Sequence, residues 1–169
     1  MAIEARICDD SRVDRIDRQI LDVLQRDARI SNTALAERVG LSESACLRRV
    51  RALEQSGVIH AYAAIVDQRK AGLPVNVWVT VTLDTQRQKG LEAFEQAVGR
   101  IPQVMECYLM SGQSDYMLRV VVSDLDDFER LHSQHLTRLP NVSRIQSSFA
   151  VRTVVRGSVL PIRREPAGG

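Results

Sequence analysis

The spacing of apolar residues changes once along the chain, and this change limits the fold more than any other feature. Before residue 60, apolar side chains recur every three or four positions, as on a helix with one buried face. Asp14 is a candidate N-cap, with Asp17 three places later near the positive end of the helix, and Ile16, Ile20, Leu21 and Leu24 follow at helical spacing. Ser31 is a second cap candidate, ahead of a stripe of Leu35, Ala36 and Val39, and Gly40 stands where a left-handed residue would end that helix. Ser42 is the third, opening the stretch SESACLRRVRALEQSGVI, which Gly57 closes. The spacing predicts three short helices, the last two joined only by a tight turn around Gly40-Leu41-Ser42.

From Val75 the period is two. Val75, Val77, Val79, Val81 and Leu83 alternate with Asn76, Trp78, Thr80 and Thr82, as in a strand with two distinct faces. A helix is expected over Leu91–Val98. Strands are expected over Val104–Met110 and Tyr116–Val122, flanking a hairpin at Ser111–Asp115. A helix from Asp124 to Leu139 would stop before Pro140, and a last strand would cover Val142–Val155. The order β-α-β-β-α-β is that of a ferredoxin-like domain. The fold class is therefore α+β: a helical domain over 14–60, a linker at 61–74 with its hinge at Lys70–Pro74, and a sheet domain over 75–157. Tails at 1–13 and 158–169 flank them, with Arg163–Gly169 read as disordered. Two helices can cover only one face of such a sheet, so the other face, with Trp78, is expected to pack on a partner subunit.

Apolar residues make up 44% of the 169 and charged residues 26%, the balance of a folded protein. The net charge of +2 does not by itself point to nucleic acid, so a binding face would have to come from local clustering. No apolar run has the length of a membrane span, and the N-terminus MAIEARICDDSR lacks the apolar core of a secretory signal. Cys8, Cys46 and Cys107 are far apart and have no CxxC spacing, which predicts reduced thiols and a cytoplasmic setting. Cys46 and Cys107 fall in apolar stripes and read as small core residues.

Successive helix residues are about 100° apart. On the third helix this puts Cys46, Val50 and Leu53 on one buried stripe, and Ser44, Arg48, Arg51 and Gln55 on nearly the opposite one. Arg49 lies at the edge of the buried stripe and is expected to make a structural ion pair. A basic outer stripe could be no more than a solvated face. Preceded by a short helix and a glycine-containing turn, it fits a helix-turn-helix unit that presents its second helix to the major groove of double-stranded DNA. Arginine suits bidentate bonds to guanine, and serine can bond to bases or phosphate. The DNA-contact candidates are Ser42, Ser44, Arg48 and Arg51. Leu47 could touch a thymine methyl or belong to the core.

The stretches RIDRQILDVLQRDARISNTALAERVGLSESACLRRVRALEQSGVIHAYAA, ECYLMSGQSDYMLRV and LTRLPNV occur in the order and at the intervals of one known family. Over about Asp14 to Val155 the chain resembles the leucine-responsive and asparagine-responsive (Lrp/AsnC) bacterial transcription regulators. The resemblance implies a helix-turn-helix domain, an αβ sandwich that binds a small molecule, dimers that assemble further, often to octamers, and control by an amino acid. It places an effector region at Ser111, Gly112, Gln113, Ser114, Asp115 and Tyr116. Leu136, Thr137, Leu139, Pro140 and Val142 would help line the pocket, partly from a neighbouring subunit. Asp115 could accept from an ammonium group, and backbone amides around Gly112 could donate to a carboxylate. Glycine, serine and aspartate are also what a plain hairpin turn uses. Within the loop the chain departs from the family pattern. Gln113 stands where an acid is common and Ser114 where an aromatic is common, which points to an effector other than leucine, polar or bulkier.

His132 and His135 lie three apart on a predicted helix but have no second pair of metal ligands, so they read as a solvated face. No nucleophile–base pair, P-loop or dinucleotide fingerprint is present, and no catalytic residue, metal or cofactor is expected. The sequence thus predicts an amino-acid-responsive DNA-binding regulator. The alternative is a small ferredoxin-like enzyme or enzyme subunit with a helical appendage.

Overall fold

The structure is a computed structural model and describes residues 13–162. The described residues form two compact units, one of 13–64 with 155–162 and one of 65–154. The expected tail at 1–13 therefore lies outside the described residues except for Val13, and so does the disordered segment expected at Arg163–Gly169.

The helical unit contains α1 (Arg15–Leu24), α2 (Asn32–Val39) and α3 (Glu43–Gln55). Each starts at the cap residue expected. Asp14 accepts from the Asp17 amide while the Asp17 carboxylate accepts from the Asp14 amide, a reciprocal capping box. Ser31 accepts from the Ala34 amide and Ser42 from the Ala45 amide. Gly40, at φ +70°, ends α2 in the left-handed region, where a side chain would be strained. Ile20, Leu21, Leu35, Ala36, Val39, Cys46 and Leu53 form the buried cluster of the unit, with Val50 and Ile59 packed at its edge.

The C-terminal segment is not a free tail up to Ile162. Its Leu160 amide donates to Gln25 Oε1 at 2.6 Å, and Ile162 packs on the same apolar cluster. Sequence spacing could not reveal this, because the contact spans 135 positions.

The sheet unit contains β1 (Val75–Leu83), α4 (Gln88–Val98), β2 (Val104–Leu109), β3 (Tyr116–Val122), α5 (Leu125–Gln134), a 3₁₀ turn (Leu136–Arg138) and β4 (Val142–Phe149). The strand order is β2-β3-β1-β4 with every neighbouring pair antiparallel, the ferredoxin-like arrangement. Alternation in β1 sends Val77, Val79 and Val81 into a core shared with Phe94, Val98, Leu118, Val120, Phe128 and Leu131. Trp78 and Thr80, on the other face, remain partly open to solvent.

Four details differ from the expectations. The last strand stops at Phe149, not Val155: its pairing with β1 ends at Val77↔Phe149, and beyond it one bond follows, from the Ala150 amide to the Asn76 carbonyl. The second helix of this unit ends at Gln134, not Leu139. Continued helix would turn Leu136 about 140° from Leu131 and off the buried stripe; the break at His135 instead leaves Leu136 fully buried. Cys107 is exposed, because it lies on the edge strand β2, which the helices do not cover fully. The expected hinge at Lys70–Pro74 overlaps a closed turn in which Asp67 accepts from the amides of Arg69 and Lys70, and the boundary between the two units falls earlier, after Ala64.

Candidate nucleic-acid interface and effector site

On α3, burial of Cys46 and Leu53 turns Ser44, Arg48, Arg51 and Gln55 outward, and all four are exposed. Ser42 is exposed as well, but its hydroxyl oxygen is occupied in the cap and lies 3.3 Å from Ser44 Oγ. Neither Arg48 nor Arg51 makes an ion pair or a side-chain hydrogen bond among the described residues.

Arg49 behaves differently, as its position on the helix predicts. Its guanidinium donates to Asp14 Oδ2 at 2.7 Å and to Asp17 Oδ1 at 2.8 Å. The two capping carboxylates of α1 thus hold α3 by one arginine. Burial pushes the Asp14 carboxyl up, but the Asp17 amide and the Arg49 guanidinium outweigh it and hold it below the ordinary carboxylate range.

Two further ties were not visible in the sequence. Asn32, the first residue of α2, donates to the Glu43 carbonyl at 2.9 Å and so fixes the start of α3 against α2. After α3, the Tyr62 hydroxyl donates to Glu54 Oε1 at 2.9 Å and holds the outgoing chain along the helix. Burial and the Glu54 carboxylate push the Tyr62 pKa up to about 12, so this donor stays protonated across the physiological range.

In the sheet unit, the two segments assigned to the effector meet at one end of β1. From one side, Asp115 Oδ2 accepts from the Leu83 amide at 2.7 Å and Oδ1 from Gln86 Nε2 at 2.9 Å. From the other, the Asn141 carbonyl accepts from the Asp84 amide at 2.8 Å, and Val142 pairs with Leu83. Asn141 adopts φ +60° and its side chain donates to the Gly90 carbonyl, which pins the turn before β4 to α4. The sequence signal for Asn141 was its position after Pro140, since asparagine tolerates the left-handed region better than most residues. Gln86 carried no signal.

Within the loop, Ser111, Gly112 and Gln113 are exposed and Ser114 is half-buried. Gly112 has φ +143°, a conformation that side chains rarely adopt. Thr137 is exposed, while Pro140 and Val142 are half-buried. Three of the residues placed in the effector region turn elsewhere. The Tyr116 ring lies in the core, 4.4 Å between centroids from Phe94, with its hydroxyl donating to Glu95 at 2.7 Å. The strand period explains it, because Tyr116 shares a face with Leu118 and Val120. Leu136 and Leu139 are likewise core residues. In the single chain all three are buried.

Comparison with known proteins places the chain in a family. Residues 13–60 match the family model for winged helix-turn-helix DNA-binding domains, and residues 76–160 match the one for the Lrp/AsnC ligand binding domain. The chain belongs to the Lrp/AsnC family. It is 41% identical to the Bkd operon transcriptional regulator of Pseudomonas aeruginosa, over 90% of this chain and 99% of that one. It is 38% identical to the leucine-responsive regulatory protein of Escherichia coli, over 89% of this chain and 92% of that one. Among solved structures, a transcriptional regulator from Neisseria meningitidis, in complex with L-methionine, superposes with a TM-score of 0.83 at 32% identity. That match covers 88% of this chain and 96% of the other. As a member of the Lrp/AsnC family, the protein is a DNA-binding transcriptional regulator with a ligand-binding domain, and the enzyme alternative falls, since these relatives are regulators.

The Arg49 clamp has a pH signature. A carboxylate whose pKa is depressed by folding contributes stability above its unfolded pKa, and that contribution is lost as pH falls through the folded value. Arg49→Met should therefore lower the urea midpoint of the helical unit at about pH 6 and change it less at a pH below the folded value of Asp14. An equal loss at both values would show that packing, not charge, carries the Arg49 contribution.

Proposed function

We propose that this regulator reads its operator through the outer stripe of α3, with Arg48 and Arg51 bonding to base edges, Ser44 alongside them and Ser42 at the phosphate backbone. The observation that carries this reading is the contrast among three neighbouring arginines. Arg49 is consumed by two carboxylates, while Arg48 and Arg51 are left exposed and unpaired on the opposite side. Guanidinium groups without internal partners are free to make bidentate contacts with guanine in the major groove. Arg48→Ala should weaken operator binding by about 1–3 kcal/mol and broaden base preference at one position of each half-site. A gel-shift titration with an operator selected from random DNA measures both, and unchanged affinity and preference would remove Arg48 from the interface.

The effector of this reading is an amino acid bound at the end of β1, between the 111–115 loop and the Pro140–Val142 turn. The relative solved with L-methionine supports that ligand class. Asp115 suits an ammonium group: its carboxylate is already oriented by Leu83 and Gln86, and each oxygen keeps a lone pair for a further donor. The open amides around Gly112 suit the carboxylate. Gln113 and Ser114 favour a side chain that is polar or bulkier than leucine. Asp115→Asn keeps an acceptor for the Leu83 amide but removes the charge. It should weaken the tightest-binding amino acid at least tenfold in calorimetry, with the circular dichroism spectrum unchanged. Wild-type affinity in this variant would exclude Asp115 as the ammonium partner.

Assembly would join the two sites. The far face of the sheet carries Trp78, Thr80, Met117 and Tyr108, with Arg119 paired to Glu106 at 2.7 Å among them. We assign this face to a second copy of the chain, giving a dimer that presents two α3 helices to two half-sites and can build into larger rings such as octamers. Effector bound at the end of β1 would act by linkage, favouring the assembly state that holds it better. Trp78→Glu should shift the mass seen by light scattering towards monomer, and an unchanged oligomer would move the interface to another surface.

A further inference from the structure

The outer side of α3 includes one large apolar side chain that is left exposed. Leu47 is 39% exposed, and it belongs neither to the buried cluster of the helical unit nor to the residues packed at its edge. Its position is specific. Leu47 lies three residues after Ser44 and four before Arg51, so these side chains stack in one row along the helix. The row runs hydroxyl, branched methyls, guanidinium. Ser44 and Leu47 lie on the N-terminal half of the helix, the end a helix-turn-helix unit directs at base edges.

We propose that Leu47 is a specificity-determining residue that contacts the C5-methyl of a thymine in each half-site. This rests on α3 being the DNA-reading helix. In the major groove, thymine is the base that offers an apolar group, and an apolar side chain is its complement. The row also fixes where that thymine falls. Four helix residues rise about 6 Å, and base pairs rise about 3.4 Å, so the thymine sits one or two base pairs from the guanine bonded by Arg51. Cytosine at that position would present an amino donor to the leucine methyls and leave it unpaired, so the contact rejects as well as selects.

The test alters the DNA and leaves the protein untouched. Full-length chain selects an operator from a random pool. Each thymine of one half-site is then replaced singly by uracil, which removes the methyl and keeps the hydrogen-bonding edge. Fluorescence anisotropy should show one thymine, one or two base pairs from a guanine sensitive to Arg51→Ala, where uracil weakens binding about fourfold, the transfer cost of one methyl group. Leu47→Ala should bind more weakly to the thymine operator and lose the difference between thymine and uracil at that position. Arg48→Ala should keep that difference. If uracil is tolerated at every thymine, or the loss persists in full in Leu47→Ala, the inference is overturned while DNA reading by α3 stands. If the pool yields no enriched sequence, both the inference and the proposed DNA reading fail together.

Discussion

Burial of one side of each element sets the role of its other side. In α3, Cys46 and Leu53 leave water with Ile20 and Leu35, and helix geometry then leaves Ser44, Arg48 and Arg51 no direction but outward. In β1, Val77, Val79 and Val81 enter the core with Phe94 and Leu118, which sends Trp78 and Thr80 to the far face. The basic stripe and the uncovered sheet face both follow from the same requirement, that apolar surface be removed from water at about 25 cal/mol per Å². Neither surface needs a dedicated device to expose it.

Polar ties then convert these faces into placed groups. Arg49 and Asn32 join α3 to the starts of α1 and α2, so the outer stripe is held at two points that do not themselves face outward. Asp115 and Asn141 perform the corresponding task in the sheet unit, anchoring the hairpin loop and the turn before β4 to the end of β1. Charged and amide side chains suit this role, because a bond to a backbone group or a carboxylate fixes direction, which apolar packing alone does less sharply. Groups held in place in this way lose less freedom when a partner binds them.

Much of this was legible in the chain. The three helix starts were readable because Asp14, Ser31 and Ser42 each stand just before an apolar period, and Gly40 marked the turn. The strand pattern was readable because alternation over nine residues of β1 fits no helix. The Arg49 ion pair was readable in kind from its angle on the helix, though not in its partners, since Asp14 and Asp17 lie 35 and 32 positions away. The ends of elements were less legible. Where β4 ends is set by how far its pairing with β1 runs, and whether α5 continues depends on where Leu136 finds the core. Of the effector segments, Tyr116 could have been placed in the core from its own strand period, whereas the burial of Leu136 and Leu139 depended on the break at His135.

The sequence by itself determined the periods, the caps and the order of the elements, because these depend on neighbours within one or two turns. It also determined which arginines could point outward, because that angle is a property of a single helix. Tertiary structure decided which distant groups meet: Arg49 with two capping carboxylates, Leu160 with Gln25, and the hairpin loop and Asn141 turn at one end of β1. Such meetings depend on how separate elements pack, and local spacing carries no record of a partner dozens of residues away.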